Sequence, residues 1–170
     1  FKPHVTAILN ITPDHLDRHK TLENYIAIKE SITKNQDEND FCVLNYNDPV
    51  LREFGKTPRC KVIFFSSSDE LESGVFLRGD TMIIKENGVE TPVCTTKDTS
   101  LVGMHNYENI MAAIAMTHAM GVPLDTIRQG IKEFTAVEHR IEFVAEKNGV
   151  KYYNDSKGTN PDAAIKAVYA

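Results

Sequence analysis

Four side chains that could bind a metal ion or transfer a proton follow the first predicted strand of the chain. The strand VTAILN leads into the segment ITPDHLDRH, which carries Asp14, His15, Asp17 and His19. Mg²⁺ prefers oxygen ligands and imidazole better suits Mn²⁺ or Zn²⁺, so a magnesium site at His15 would need another oxygen ligand nearby. The alternative is a loop at a helix start, in which Asp17 and Arg18 are simply solvated.

A second polar loop, DSKGTN, lies between the predicted strand VKYYN and a helix that begins at Pro161. Ligands of α/β proteins bind beyond the carboxyl ends of strands, where a helix N-terminus offers free N–H groups. Lys157 adds a positive charge, and Gly158 lets the backbone approach a ligand. Asp155 and Ser156 can hydrogen-bond hydroxyl groups. The alternative is a well-capped helix with solvated polar residues.

Two predicted helices carry further polar side chains of interest. Lys29 lies in the helix after the opening loop, where a lysine usually packs its aliphatic stem on the core and points its amine outward. His105, Asn106 and Asn109 lie at the start of a later helix, where side-chain amides could reach the edge of a ligand's ring. The alternative is that Asn106 is only the N-cap of that helix, and the sequence leaves both interpretations open.

One apparent nucleotide motif is incomplete. The segment FGKTP contains Gly55, Lys56 and Thr57, which resemble the end of a phosphate-binding P-loop. That motif, GxxxxGK[ST], needs an earlier glycine at the position that Val50 occupies here. We therefore predict a surface turn at FGKTP.

The elements that must position these side chains alternate between strand and helix, which predicts an α/β fold with a parallel sheet. The first strands are VTAILN, FCVLN and KVIFFS, separated by the helices TLENYIAIKESI and DPVLREF. From about Gly74, three short segments with turn signals predict a small antiparallel patch. Two helices follow, NYENIMAAIAMTHAM and PLDTIRQGIKEF, and then a linker, TAVEHR. A hairpin about Asn148-Gly149 and the last helix complete the prediction.

Composition excludes several classes of function. The chain has 24 acidic and 19 basic residues and a net charge of −5, which argues against a nucleic-acid or anionic-membrane partner. Its three cysteines form no disulfide pattern, so we expect a reducing cytoplasm. The longest apolar run has about seven residues, far fewer than a membrane span needs. The chain starts without Met and stops within a helical pattern, so we expect a piece of a longer protein.

Four segments together resemble the Mur ligase family, whose members build the peptide stem of bacterial peptidoglycan. They occur in the family's order and rough spacing: ILNITPDHLDRHKTLENYIAIK, LVGMHNYENIMAAIA, EHRIEFV and YYNDSKGTNPDAAIKA. The DHLDRH segment resembles a signature of the whole superfamily. The NDSKGTN segment and the His-Asn of GMHNYEN resemble the member that adds D-glutamate to UDP-N-acetylmuramoyl-L-alanine.

The resemblance implies three domains in the whole protein: one for the UDP-sugar, a central ATPase domain and a Rossmann-like C-terminal domain. Residues 1–136 would be the latter part of the P-loop-type ATPase domain, and residues 137–170 would begin the C-terminal ligase domain. The uridine domain, the P-loop lysine and most of the D-glutamate site would lie elsewhere. We therefore expect the fragment alone to be inactive and its parent to be a cytoplasmic monomer.

The same resemblance implies ATP and Mg²⁺ as cofactors and an acyl phosphate as intermediate. His15 would be a ligand of the second magnesium ion. Lys29 would be carbamylated, and its carbamate would supply the oxygen that His15 lacks. Lys157 and Thr159 would lie near the transferred phosphate and the incoming D-glutamate.

Four further residues would bind the nucleotide if the resemblance holds. Asn106 and Asn109 would lie beside the adenine, with Asn109 the preferred contact. Arg140 would reach the phosphates, and Asp155 would hold the ribose. These roles require that the turns at positions 10–19 and 154–160 face a common cleft.

Three alternatives remain open from the sequence. The parent could be another ligase of the superfamily, such as a folylpolyglutamate synthase or an enzyme that adds a different amino acid. It could be a metal-dependent hydrolase built on Asp14, His15, Asp17 and His19, which would need neither a nucleotide nor Lys29. It could also be a non-catalytic interaction or structural module, which would not bind ATP.

Overall fold

Six strands form the main sheet of the protein, and they lie side by side in chain order. The computed structural model describes residues 1–13, 16–135, 137–159 and 161–169. The strands are β1 (Val5–Ile8), β2 (Phe41–Asn45), β3 (Lys61–Ser66), β4 (Gly74–Arg78), β5 (Thr81–Glu86) and β6 (Val89–Thr95). Strands β1 to β4 pair in parallel, whereas β5 pairs antiparallel with both β4 and β6. The predicted α/β class with a parallel sheet is confirmed.

The antiparallel strands continue the main sheet, because β4 pairs with the end of β3 through Phe65–Val75 and Ser66–Phe76. Gly74 permits this approach. Its φ is +126°, and a Cβ atom there would lie 2.2 Å from the carbonyl oxygen of Phe64. A side chain at this position would therefore clash with backbone, and only glycine tolerates both the contact and the dihedral angle.

The helices are α1 (Leu16–His19), α2 (Leu22–Glu30), α3 (Pro49–Phe54), α4 (Met104–Ala119), α5 (Leu124–Glu133) and α6 (Pro161–Val168). A short 3₁₀ turn, Ser31–Thr33, follows α2. None of the helices in the described part of the chain is long and apolar enough to cross a membrane.

Both faces of the parallel strands are covered, which explains why β2 reads as a continuous apolar run. On one face, Met111 and Ile114 of α4 pack against Val43 and Phe65, and α5 packs beside α4 against β6. On the other face, Leu51 of α3 packs with residues of β1 and β2. The cysteines Cys42, Cys60 and Cys94 are buried free thiols.

Local signals in the sequence account for most element boundaries. Thr21 caps α2, because its hydroxyl accepts a hydrogen bond from the backbone amide of Asn24 at 3.2 Å. The segment Gly55–Thr57 is the turn after α3, as predicted. The interpretation of Asn106 as an N-cap is wrong, because α4 begins earlier, after Gly103.

The apolar side chains of α2 and of the 3₁₀ turn after it are unevenly buried. Tyr25 of α2 is buried, but Ile28 of α2 and Ile32 of the turn are 55% and 41% exposed. Helical periodicity marks a face that can pack, whereas burial depends on what lies against it. No element of the described residues covers Ile28 and Ile32 to the degree that Tyr25 is covered.

The last part of the chain forms its own two-stranded sheet from β7 (Glu142–Lys147) and β8 (Val150–Asn154). The predicted hairpin is confirmed, and Asn148 and Gly149 have φ of +53° and +77°. Such angles match the two-residue turn that joins twisted antiparallel strands. Several large apolar side chains of this hairpin are exposed: Phe143, Val144, Val150, Tyr152 and Tyr153.

Candidate active site

A cavity of about 390 Å³ opens where the predicted site residues meet. Its wall combines the loop after β1, one side of α2, the start of α4, the turn before β7 and the loop after β8. Six predicted site residues line it: Lys29, Asn106, Asn109, Arg140, Asp155 and Lys157. The loops after β1 and β8 thus share one cleft, through Asn10 and Thr12 on one side and Asp155 and Gly158 on the other.

Two predicted site residues are not placed in this cavity. His15, with the neighbouring Asp14, lies outside the described residues. Thr159 is described and exposed, but it is not part of the wall that the described residues form. The roles of both residues therefore stay predictions.

Lys29 turns its amine toward the loop after β1. Its Nζ donates a hydrogen bond to the carbonyl oxygen of Asn10 at 3.1 Å and lies 4.7 Å from the centre of the Tyr25 ring. Tyr25 is buried and forms the floor beneath the lysine stem. The amine is therefore held against the cavity wall by a carbonyl dipole and an aromatic face, whereas an isolated surface lysine extends into solvent.

The loop after β1 is anchored by a residue that the sequence analysis missed. The amide N–H of Ile11 donates to Oδ2 of Asp48 at 2.6 Å. Asp48 also caps α3, because its Oδ1 accepts from the amides of Val50 and Leu51 at 2.9 and 3.3 Å. The Asp-Pro pair at the start of α3 signals the cap, but no local pattern reveals the contact with Ile11.

The start of α4 presents its polar side chains at the other side of the cavity. The side-chain Nδ2 of Asn106 donates to the carbonyl of Val102 at 2.7 Å, which orients the Asn106 side chain. Asn109 is exposed and lines the cavity. Glu108, which the sequence analysis also missed, accepts a hydrogen bond from the Ser67 hydroxyl at 2.6 Å, and so ties α4 to the end of β3.

The loop after β8 is folded around Asp155. Oδ1 of Asp155 accepts from the amide of Ile141 at 3.2 Å, and its carbonyl oxygen accepts from the amide of Gly158 at 2.9 Å. A Cβ atom at Gly158 would lie only 2.6 Å from Oδ2 of Asp155. Glycine at position 158 therefore leaves the space that the carboxylate occupies.

The turn before β7 is held against the same loop and presents Arg140. The amide of Lys157 donates to the carbonyl of His139 at 3.1 Å. His139 and Ile141, on either side of Arg140, have φ of +70° and +45°. These angles are unfavourable for residues with a Cβ, and Ile141 is β-branched. The surrounding hydrogen bonds must offset this strain.

The charges of the cavity suit a polyanion. Among the described residues, Lys29, Arg140 and Lys157 bring three cations to its wall, and Glu108 and Asp155 bring two carboxylates. An arginine can bind phosphate oxygens through two parallel hydrogen bonds, and a lysine acts as a point charge. These cations are therefore suited to a polyphosphate, and the carboxylates to hydroxyl or amino groups.

The same cavity fits a divalent cation less well if its residues are unmodified. Within residues 1–13, 16–135, 137–159 and 161–169, no three His, Cys, Asp or Glu side chains lie close enough to hold a metal ion. The ring of His19 packs 5.4 Å from that of Tyr25. A magnesium site built from these described residues would therefore need an added oxygen ligand, and a carbamate on Lys29 would be one.

Comparison with known proteins gives consistent matches. The family model described as the Mur ligase middle domain matches residues 1–117. The chain is 52% identical over 170 residues to the UDP-N-acetylmuramoylalanine–D-glutamate ligase of Lachnoclostridium phytofermentans. It is 51% identical to the ligase of the same name from Lachnospira eligens. Each match covers the whole chain but only 37% and 38% of the relative, respectively.

Solved structures share the fold at lower sequence identity. MurF from Acinetobacter baumannii superposes with a TM-score of 0.78 at 22% identity, over 99% of this chain and 37% of that chain. MurF ligase from Thermotoga maritima, solved in complex with ADP, gives a TM-score of 0.71 at 20% identity, over 99% of this chain and 39% of that chain. These likenesses concern the fold alone.

Proposed function

The chain belongs to the Mur ligase family, through the middle domain of that family; on this premise, we propose that it is the central segment of an ATP-dependent ligase. This ligase adds D-glutamate to UDP-N-acetylmuramoyl-L-alanine during peptidoglycan precursor synthesis. The observation that carries the proposal is the 52% identity to a D-glutamate ligase along the entire chain. The three cations in the cavity support a reaction that handles phosphate groups.

The proposed ligase has a domain boundary near residue 136. Residues 1–136 would be the latter part of the P-loop-type ATPase domain, and residues 137–170 the start of a Rossmann-like ligase domain. The separate sheet of β7 and β8 supports this division, as does the end of the family match at residue 117. The exposed apolar side chains of the hairpin are what a sheet would show before further elements cover it.

We assign the nucleotide to the cavity. Asn109, with Asn106 beside it, would contact the adenine, and Asp155 would accept hydrogen bonds from the ribose hydroxyls. Arg140 would bind the phosphates. A relative of the same fold was solved with ADP, which supports a nucleotide in this fold. Because Arg140 and Asp155 follow the boundary, a closing motion of the two domains would complete the site.

Lys29 and His15 would together hold Mg²⁺ in the proposed ligase. The Lys29 ammonium first loses a proton; the neutral amine then attacks CO₂, an N–C bond forms and a second proton is released, so that a cation becomes a carbamate anion. The carbamate supplies the oxygen that the unmodified residues lack. A bound magnesium ion would supply charge neutralisation for the phosphates.

The chemical steps follow from the poor reactivity of a carboxylate. A carboxylate oxygen of UDP-N-acetylmuramoyl-L-alanine attacks the γ-phosphorus, and the bond from that phosphorus to ADP breaks. The D-glutamate amine then attacks the acyl carbon, loses a proton, and phosphate leaves with the C–O bond electrons. Lys157 and Arg140 would stabilise the charge on the transferred phosphate, and Thr159 would contact D-glutamate.

The test uses a full-length ligase that contains this chain. We expect phosphate release from ATP that requires both UDP-N-acetylmuramoyl-L-alanine and D-glutamate. L-alanine and a diamino acid serve as controls, and equal release with either would point to another member of the family. Metal-dependent hydrolysis of substrates without any nucleotide would instead favour a hydrolase and overturn the proposal.

A further inference from the structure

One peptide unit in the cavity wall is held from both sides. The carbonyl of Asn10 and the amide N–H of Ile11 belong to the same planar group. The carbonyl accepts from Nζ of Lys29 at 3.1 Å, and the N–H donates to Oδ2 of Asp48 at 2.6 Å. Because the C=O and N–H of a trans peptide point in opposite directions, these two contacts fix its orientation.

The carboxylate that holds this peptide is itself rigidly placed. Oδ1 of Asp48 accepts from two amides at the start of α3, while Oδ2 is the atom that contacts Ile11. Leu51, one turn into α3, is fully buried in the core. The packed core therefore fixes the position of Asp48, and the hydrogen bond from Ile11 to Asp48 in turn fixes the loop after β1.

We propose that Asp48 is a positioning residue for the ligase reaction, which acts by fixing the 10–11 peptide and thereby the Lys29 amine. This inference rests on the proposed function. A charged acceptor on the N–H side polarises the peptide, so its carbonyl becomes a stronger acceptor for Lys29. A carbamate nitrogen keeps one hydrogen, so the same carbonyl would direct the carbamate oxygens of Lys29.

The proposal is tested by Asp48→Ser and Asp48→Asn in the full-length ligase. Serine and asparagine are good N-caps, so both variants should keep α3. Serine is too short to serve the cap and Ile11 together. An asparagine whose side-chain oxygen caps α3 turns its NH₂ group toward the Ile11 N–H, and two donors cannot form a hydrogen bond. Both variants should therefore lose the hydrogen bond from the Ile11 amide while they keep α3.

We expect kcat to fall by about 10- to 100-fold in both variants, the range typical for residues that orient a metal ligand. The KM for D-glutamate should not change. With ¹³C-labelled bicarbonate, the carbamate signal of Lys29 should weaken in the NMR spectrum. In a Lys29→Ala background whose activity is partly restored by an added short carboxylic acid, Asp48→Asn should cause no further loss, because its effect passes through Lys29.

Asp98→Asn is the matched control. Oδ2 of Asp98 accepts from the amide and hydroxyl of Thr95, both at 2.8 Å, and neither residue lines the cavity. The substitution removes the carboxylate charge from a comparable turn outside the cavity and should leave kcat unchanged. A wild-type ligase without activity would refute the proposed function. If the wild type is active and the Asp48 variants have the same kcat as Asp98→Asn, the positioning role is overturned. It is also overturned if the Asp48 variants fail to fold.

Discussion

Gly158→Ala tests whether the Asp155 carboxylate binds the nucleotide. The added Cβ would lie 2.6 Å from Oδ2 of Asp155 and 3.2 Å from its carbonyl oxygen. Ordinary contact begins at 3.4 Å, so the carboxylate must move by about 0.8 Å. The movement also strains the hydrogen bond from the amide of Ile141 to Oδ1. The fold should survive, because the nearest obstacle is the end of a side chain.

The expected effect is a higher KM for ATP. A hydrogen bond to a charged group contributes about 1.5–3 kcal/mol, so its loss corresponds to a KM roughly 10- to 100-fold higher. Steady-state kinetics of the full-length ligase measure this value, with D-glutamate saturating. 2′,3′-Dideoxy-ATP, which lacks the ribose hydroxyls, should bind wild type and Gly158→Ala with similar affinity.

Gly130→Ala is the matched control for this prediction. A Cβ atom at Gly130 in α5 meets nothing within 4 Å, and alanine favours a helix by about 0.8–1 kcal/mol over glycine. We expect unchanged kinetics and a slightly higher Tm. The reasoning about Asp155 is refuted if Gly158→Ala keeps a wild-type KM for ATP. It is equally refuted if the loss is as large with the dideoxy nucleotide, since the methyl group would then only block the cavity.

Three further predictions concern Lys29 and two polar anchors. Lys29→Ala should abolish activity of the full-length ligase, and added short carboxylic acids should restore part of it; an assay without such rescue would contradict the carbamate. Gln36→Leu should lower the free energy of unfolding in urea by about 1–3 kcal/mol, because the buried Gln36 amide donates to the Phe41 carbonyl at 2.9 Å. The hydrogen bond to His4 is the main cause that lowers the pKa of Asp40 below its ordinary 3.8. That stabilisation is present above pH 3.8 and is lost as the pH falls through the lower folded-state pKa. In Asp40→Asn, Tm should therefore fall less steeply as the pH is lowered. An unchanged dependence of Tm on pH would show that the hydrogen bond between Asp40 and His4 does not cause the acid destabilisation.

Local features of the fold were predictable because their causes are local. Thr21 caps α2 through a contact three residues away, and the Asn148-Gly149 turn needs only residues that tolerate positive φ. Apolar runs separated by helices likewise predicted the parallel strands. The joining of β4 to β3 was not predictable in this way, because it depends on a close approach at Gly74 that only the assembled sheet reveals.

The candidate site was likewise predictable only where its signals are local. Residue types and resemblance drew attention to Lys29, Arg140, Asp155 and Lys157, and the structure brings all four to one cavity. Asp48 went unnoticed as a site residue. The Asp-Pro pair at the start of α3 signals the N-cap role of Asp48. Its contact with Ile11, in contrast, depends on two segments that meet only in the folded chain.

The sequence by itself determined most strands and helices and the chemical types of the candidate side chains, because these depend on neighbours a few residues apart. Tertiary structure alone decided which groups share the cavity and which carboxylate orients the peptide that holds Lys29. Such contacts join segments that are distant in the chain, and the burial and packing of the whole domain, rather than any local preference, bring them within hydrogen-bonding distance.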